Sequence, residues 1–181
     1  MVVAKLSELP GGQAVIDAVG DDTSVWLVGG AVRDLLLDRT PSEIDLVIEG
    51  PLDDLIARLG GEAERFERFG TATVLLDDVR VDLASARSEI YAQPGALPEV
   101  EPASLDEDLK RRDFTINAIA VRIIDGELRA DPEALSDLEA QTLRVLSQRS
   151  FLDDPTRLWR GARYSARLGF GMEPETASLA A

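Results

Sequence analysis

Apolar residues recur along the chain in two rhythms, and their alternation sets out the elements. Residues 11–19 carry a helical spacing and lead into the apolar run "SVWLVGG" (24–30), which reads as a strand. A helix from Ala31 to about Leu37 follows, then a turn at "DRTPS" containing Pro41. "EIDLVIE" (43–49) alternates, with Ile44, Leu46 and Ile48 on one side and Glu43, Asp45 and Val47 on the other, the signature of a strand. Residues 51–60 read as helix stopped by Gly60-Gly61. "TATVLL" (71–76) and "VRVDLAS" (79–85), separated by Asp77-Asp78, form a hairpin pattern. The stretch 86–104 has three prolines and weak periodicity, and predicts a mobile loop. Beyond it the pattern predicts a short helix at 104–112, "TINAIAVRI" partly as strand, a hairpin around Asp125-Gly126, and a helix over about 154–168. Helices and strands in this order imply an α/β or α+β fold, a mixed sheet with flanking helices. The last residues, "ETASLAA", read as the start of another helix, so the expectation is a fragment of a longer chain.

Composition narrows the chemistry. The 181 residues are 45% hydrophobic, enough for a core, and include neither cysteine nor histidine. Disulfides, thiolate metal sites and imidazole catalysis are therefore excluded, and a reducing, cytoplasmic setting is expected. No stretch approaches a membrane span, and "MVVAKLSELPGG" lacks the zones of a signal peptide. The net charge is −15. Residues 1–110 hold 9 basic and 23 acidic side chains, residues 111–181 hold 10 and 11, and six Arg lie between 144 and 167. A locally basic patch is thus set in a chain too acidic to grip a polynucleotide unaided.

Three groups carry candidate chemistry. Glu43 and Asp45, two apart on a strand, project side by side ~7 Å apart at the backbone. They suit a divalent cation such as Mg²⁺, or else form a plain solvent-facing acidic surface. Gly29-Gly30, between strand and helix, would leave backbone N–H groups free for an anion, with Arg33 one turn away; a tight structural turn is the alternative. Asp82 shares a strand face with Arg80 and joins Glu43 and Asp45 if the two strands are neighbours; otherwise it is an exposed strand Asp. On the last helix, Asp154 accepts and Arg157 donates, a pair complementary to the amino and ring-nitrogen edge of C or A and not to that of U or G. Arg157, Arg160, Arg163 and Arg167 could equally be the solvated side of an amphipathic helix, opposite Trp159, Ala162 and Ala166.

The ordered segments "LVGGAVRDLLL…SEIDLVIEG", "YAQPGALPEVEPASLDEDLKRRDFTINAIAV" and "DDPTRLWRGARYSARLGF" resemble the head and neck of class II CCA-adding tRNA nucleotidyltransferases and bacterial poly(A) polymerases, which are polymerase-β-like nucleotidyltransferases. The resemblance spans about residues 13–170. It implies a nucleotidyltransferase head at 1–145 and the beginning of a helical neck at 146–181. It also implies addition of C and/or A from CTP or ATP to a tRNA 3′ end with release of pyrophosphate, using Mg²⁺ or Mn²⁺. Gly29, Gly30 and Arg33 would hold the triphosphate. Glu43 and Asp45 would bind metal, with Asp82 as third carboxylate. Arg112 would contact nucleotide with support from Asp113, and Asn117 lies nearby. Asp154 and Arg157 would read the base, and Arg160 would touch ribose or phosphate.

Three positions depart from the family pattern. Glu43 stands where an Asp is usual, Asp153-Asp154 replaces Glu-Asp before Pro155, and Asp38 occupies a position where many relatives have Gly. The Glu43 departure keeps open a catalytically weakened nucleotide- or RNA-binding module, beside the poly(A) polymerase alternative. A small-molecule nucleotidyltransferase is disfavoured because "RRDFTINA" and "DDPTR" resemble the RNA-tailing branch. The loop at 86–104 is expected to bear on which end product is made.

Overall fold

The structure is a computed structural model describing residues 1–76 and 78–181. Its elements in chain order are α1 (Val2–Ser7), α2 (Gly12–Val19), β1 (Val25–Val28), α3 (Gly29–Leu36), β2 (Ile44–Ile48), α4 (Asp53–Leu59) and β3 (Glu62–Phe66). A 3₁₀ turn at Glu67–Phe69 precedes β4 (Thr71–Leu76), β5 (Val79–Ser85), β6 (Arg87–Ile90), β7 (Glu99–Pro102) and α5 (Leu105–Lys110). After a second 3₁₀ turn, Thr115–Asn117, come β8 (Ile119–Arg122), β9 (Leu128–Ala130), α6 (Ala134–Glu139), β10 (Thr142–Leu143), α7 (Ser150–Asp153), α8 (Thr156–Leu168), β11 (Gly171–Met172) and α9 (Pro174–Leu179).

Among the described residues the main sheet runs β3-β4-β5-β2-β1-β8-β9. Its contacts are antiparallel except between β2 and β5, which are parallel and place Asp45 beside Asp82. This is the expected mixed sheet. Ile44, Leu46 and Ile48 of β2 enter the larger core with Val74, Val81 and Leu83, while Val47 packs on the other face with Trp26 and Leu105. The same core takes in Leu143, Phe151, Tyr164, Leu168 and Phe170, so apolar packing is continuous across residue 145.

The strands expected at 71–76 and 79–85 occur with those bounds, and Leu76 faces Val79 across the turn. Of the two turn residues, Asp77 lies outside the described residues; Asp78 has φ +70. Segment 86–104 differs from expectation. It holds the hairpin β6–β7, and the Gly95 N–H donates to Leu152 O at 3.0 Å, seating the tip against α7. Its prolines fall in the tip or at the end of β7, where they interrupt little of the ladder. Asp38 adopts φ +56, the left-handed region glycine favours, which accounts for the Gly at this position elsewhere in the resembled pattern; Lys5 pairs with it at 2.5 Å. No helix among the described residues is long and apolar enough to cross a membrane.

Candidate active site

A cleft of about 760 Å³ opens between the sheet and α8, and all twelve residues singled out from the sequence line it. The parallel β2–β5 contact does the first piece of assembly. Register partners share a face, so Asp45 and Asp82 project together, and Glu43, just before β2, joins them. One carboxylate oxygen from each lies within 4.8 Å of the others. The longer Glu43 side chain thus reaches the cluster.

The charge balance of this cluster is unfavourable as it stands. Burial, then the neighbouring Glu43 charge, push the Asp45 carboxyl up to about 7, with Arg112 and Arg33 opposing the rise. Asp82 is better compensated: both its oxygens accept from Arg80 Nε at 2.9 Å, and one accepts from Thr73 Oγ1 at 2.6 Å. Three hard oxygen donors converging, one of them held far above the usual carboxylate range by burial and by Glu43, match the donor set that Mg²⁺ or Mn²⁺ takes.

The opposite side of the cleft is built by the β1–α3 junction. Val28 is extended, and α3 begins at Gly29, two residues earlier than the pattern suggested. Gly29 has φ +62, and a Cβ there would lie 2.7 Å from Arg112 Nη1. A Cβ on Gly30 would sit 3.8 Å from Asp45 Oδ2. The missing side chains therefore let the first N–H groups of a helix approach both a cation and the carboxylates. Gly29→Ala is expected to cost ~1–2 kcal/mol from backbone strain alone. It should also displace Arg112, lowering the melting temperature further.

The remaining residues form one polar network. Arg33, 2% exposed, donates from Nε to Asp34 Oδ1 (2.9 Å) and from Nη1 to Asn117 Oδ1 (2.6 Å), and lies over the Tyr164 ring. It forms a cleft wall, with its guanidinium already engaged. Asp34 also takes Arg167 of α8. Asn117 Nδ2 donates to Asp113 Oδ1 (2.9 Å), and Arg160 Nε donates to Asp113 Oδ2 (2.7 Å). Burial raises the Asp113 pKa, but Arg160 and these hydrogen bonds outweigh it and leave the carboxyl below its ordinary value. The expected support of Arg112 by Asp113 is thus corrected: Asp113 holds Arg160, because it lies past the end of α5 and turns towards α8. Arg112 is held instead by Asp108, one helical turn earlier, at 2.9 Å. Asp108 is 0% exposed and also binds Arg111 and the Arg87 N–H. Sequence reasoning missed it, along with Asp34. The spacing of Asp108 to Arg111 and Arg112 was the available signal.

The α8 helix also resolves an alternative. Its inward face is Arg157, Gly161, Tyr164 and Leu168, whereas Trp159 is 82% exposed and Ala162 and Ala166 face outward. A Cβ on Gly161 would meet Phe114 Cζ at 2.9 Å, so the helix sits close enough to turn arginines into the cleft. The reading of a purely solvated arginine side is overturned. Arg157 donates to Ser150 Oγ (2.9 Å) and to Arg111 O (2.7 Å), and its Nε stands 3.7 Å from Asp154 Oδ2. The acceptor–donor pair is therefore fixed side by side on the cleft wall.

Residues 25–144 match the family described as the poly A polymerase head domain. The chain is 41% identical over 165 residues to an A-adding tRNA nucleotidyltransferase of Halalkalibacterium halodurans, covering 87% of this chain and 39% of that protein. It is 44% identical over 164 residues to a CC-adding tRNA nucleotidyltransferase of Deinococcus radiodurans, covering 86% and 44%. A solved tRNA nucleotidyltransferase complexed with a primer tRNA and an incoming ATP analog superimposes with a TM-score of 0.77 at 36% identity, covering 92% of this chain and 48% of that one. The chain thus spans less than half the length of each. With most of its length and its fold shared in this way, the chain belongs to the poly A polymerase head domain family.

Proposed function

We propose that the chain is the catalytic part of an RNA 3′-end nucleotidyltransferase that adds A and/or C from ATP or CTP to tRNA. The observation that carries the reading is the in-register Asp45–Asp82 pair, joined by Glu43, facing the Gly29-Gly30 turn across one cleft. The names of the relatives, A-adding and CC-adding tRNA nucleotidyltransferase, support the choice of nucleotides and acceptor. Residues 1–145 supply the phosphate turn and the carboxylates as a head. Residues 146–181 supply the base-reading wall as the beginning of a neck. The cytoplasm, where such an RNA substrate is met, suits a chain without cysteine.

In this reading the acceptor's 3′-hydroxyl gives up its proton to water as its oxygen bonds to the α-phosphorus of the nucleotide, while the bond from that phosphorus to the oxygen bridging to the β-phosphate breaks and pyrophosphate departs. Glu43, Asp45 and Asp82 would hold Mg²⁺ or Mn²⁺, which would supply a lowered pKa for the attacking hydroxyl and stabilisation of charge on the leaving group. The N–H groups at Gly29 and Gly30 bind phosphate oxygens. Arg112, held by Asp108, and Arg160, held by Asp113, orient the nucleotide with cations already ordered before it arrives. Asp154 accepts the amino hydrogen of C or A while Arg157 donates to the ring nitrogen. No side chain acts as a covalent nucleophile.

The test is calorimetric titration with ATP, CTP, UTP and GTP, with and without Mg²⁺. ATP and CTP are expected to bind in a metal-dependent manner, and UTP and GTP roughly tenfold or more weakly, the worth of one mismatched base edge. Equal binding of all four, or binding indifferent to metal, overturns the reading.

A further inference from the structure

Resting on the function proposed above, we infer that the open face of β3 and β4, with Phe66 as its aromatic platform, seats the 3′-terminal nucleotide of the RNA acceptor. The strand registers place this surface. Thr73 pairs with Asp82 and Thr71 pairs with Phe66, so Phe66, Thr71 and Thr73 share the face that carries Asp82 and Asp45. The 2.6 Å hydrogen bond from Thr73 Oγ1 to Asp82 Oδ1 is a direct consequence of that shared face. Ala72 and Val74 point the other way into the core. Phe66, Thr71 and Thr73 line the same cleft as the carboxylates. Phe66 is 44% exposed, an apolar ring left towards solvent two strands across and two residues along from Asp82, ~12 Å at the backbone. A terminal nucleotide whose 3′-oxygen meets the carboxylates reaches its base across that span.

The reaction's geometry selects the occupant. In-line displacement puts the attacking and leaving oxygens on opposite sides of the α-phosphorus. Across the sheet the order is β3, β4, β5, β2, β1, and Gly29-Gly30 follows β1. The leaving pyrophosphate therefore lies to the β1 side of Asp45 and Asp82, and the acceptor strand must come in over β5, β4 and β3. On that side lie the exposed Phe66 ring, the half-buried Thr71 and Thr73, and the exposed Arg80, whose guanidinium already sits beside Asp82. Stacking on an exposed aromatic of a sheet face accepts any base, as an enzyme needs when each addition changes the terminal residue.

Phe66→Ala and Phe66→Tyr, at an exposed position whose loss leaves the core intact, test this with addition of A or C to an RNA hairpin acceptor. Phe66→Ala is expected to raise the KM for the hairpin roughly tenfold, the fold-change of one lost stacked base, with the KM for ATP unchanged, and Phe66→Tyr to restore it. A hairpin ending in 2-aminopurine should lose fluorescence on binding the parent and the Tyr variant, and keep it with the Ala variant. An Ala variant with parental acceptor KM and parental quenching overturns the inference and leaves the enzymatic reading standing, as does one in which the KM for ATP rises equally. Absence of metal-dependent ATP or CTP binding by the parent protein overturns the enzymatic reading itself.

Discussion

Replacing Asp45 by Asn is expected to abolish nucleotide addition and, at the same time, to stabilise the metal-free protein. The first effect follows from removing the central carboxylate of the Glu43–Asp45–Asp82 cluster. Several kcal/mol of transition-state stabilisation depend on a cation held there, so kcat should fall at least ~10³-fold at saturating Mg²⁺. The second follows from the carboxyl's pKa, pushed from 3.8 to about 7 by burial and by Glu43. Between these values the folded state holds a proton that the unfolded chain releases, so stability falls as pH rises from about 4 to 7 and the penalty is complete above 7. At pH 8 the metal-free Asn variant should be more stable than the parent by ~2–4 kcal/mol, and at pH 4 the two should converge. Urea unfolding at the two pH values in EDTA measures this. A parent whose deficit relative to the variant does not grow with pH would refute the strained carboxylate. Metal binding by the parent should tighten as pH rises through 7, with release of a proton that the Asn variant does not show.

Asp34→Ala should be strongly destabilising. Asp34 and Arg33 are both 2% exposed, and Asp34 is also the anchor for Arg167 from α8. Removing it leaves the Arg33 guanidinium enclosed with Asn117 Oδ1 as its remaining hydrogen-bond acceptor. Breaking a buried pair by deleting one partner typically costs 3–5 kcal/mol. A domain of this size has of order 5–15 kcal/mol in total, so much of the protein should be near its unfolding transition at 37 °C. The double change Asp34→Ala with Arg33→Met should recover part of the loss, because the uncompensated charge leaves with the side chain. A single variant with the parental urea midpoint would contradict this account.

How far the sequence led depended on whether one rhythm or several forces shaped a segment. The β4 and β5 strands were legible to the residue because "TATVLL" and "VRVDLAS" alternate over one buried and one open face. In β3, "EAERF", every residue is exposed, so there is no alternation to read; only its pairing to β4 makes it a strand. The β6–β7 hairpin was obscured in the same way by prolines and charges, since its ladder and docking rest on backbone groups. The carboxylate cluster was legible because a strand fixes the direction of i and i+2. The support given by Asp34 was not, because Asp34 acts on Arg167, 133 residues away, and only tertiary packing sets which acid meets which arginine; Asp108 was legible only in its spacing of three and four to Arg111 and Arg112.

The lone parallel contact in the main sheet carries a consequence for how activity is acquired during folding. A hairpin can close within a few residues, but β2 and β5 can meet side by side only after α4, β3 and β4 have been laid down between them. Asp45 and Asp82 are therefore strangers in every partly folded form that lacks this crossover. Any form of the chain that lacks this crossover keeps its two acids apart, whatever else in it has folded.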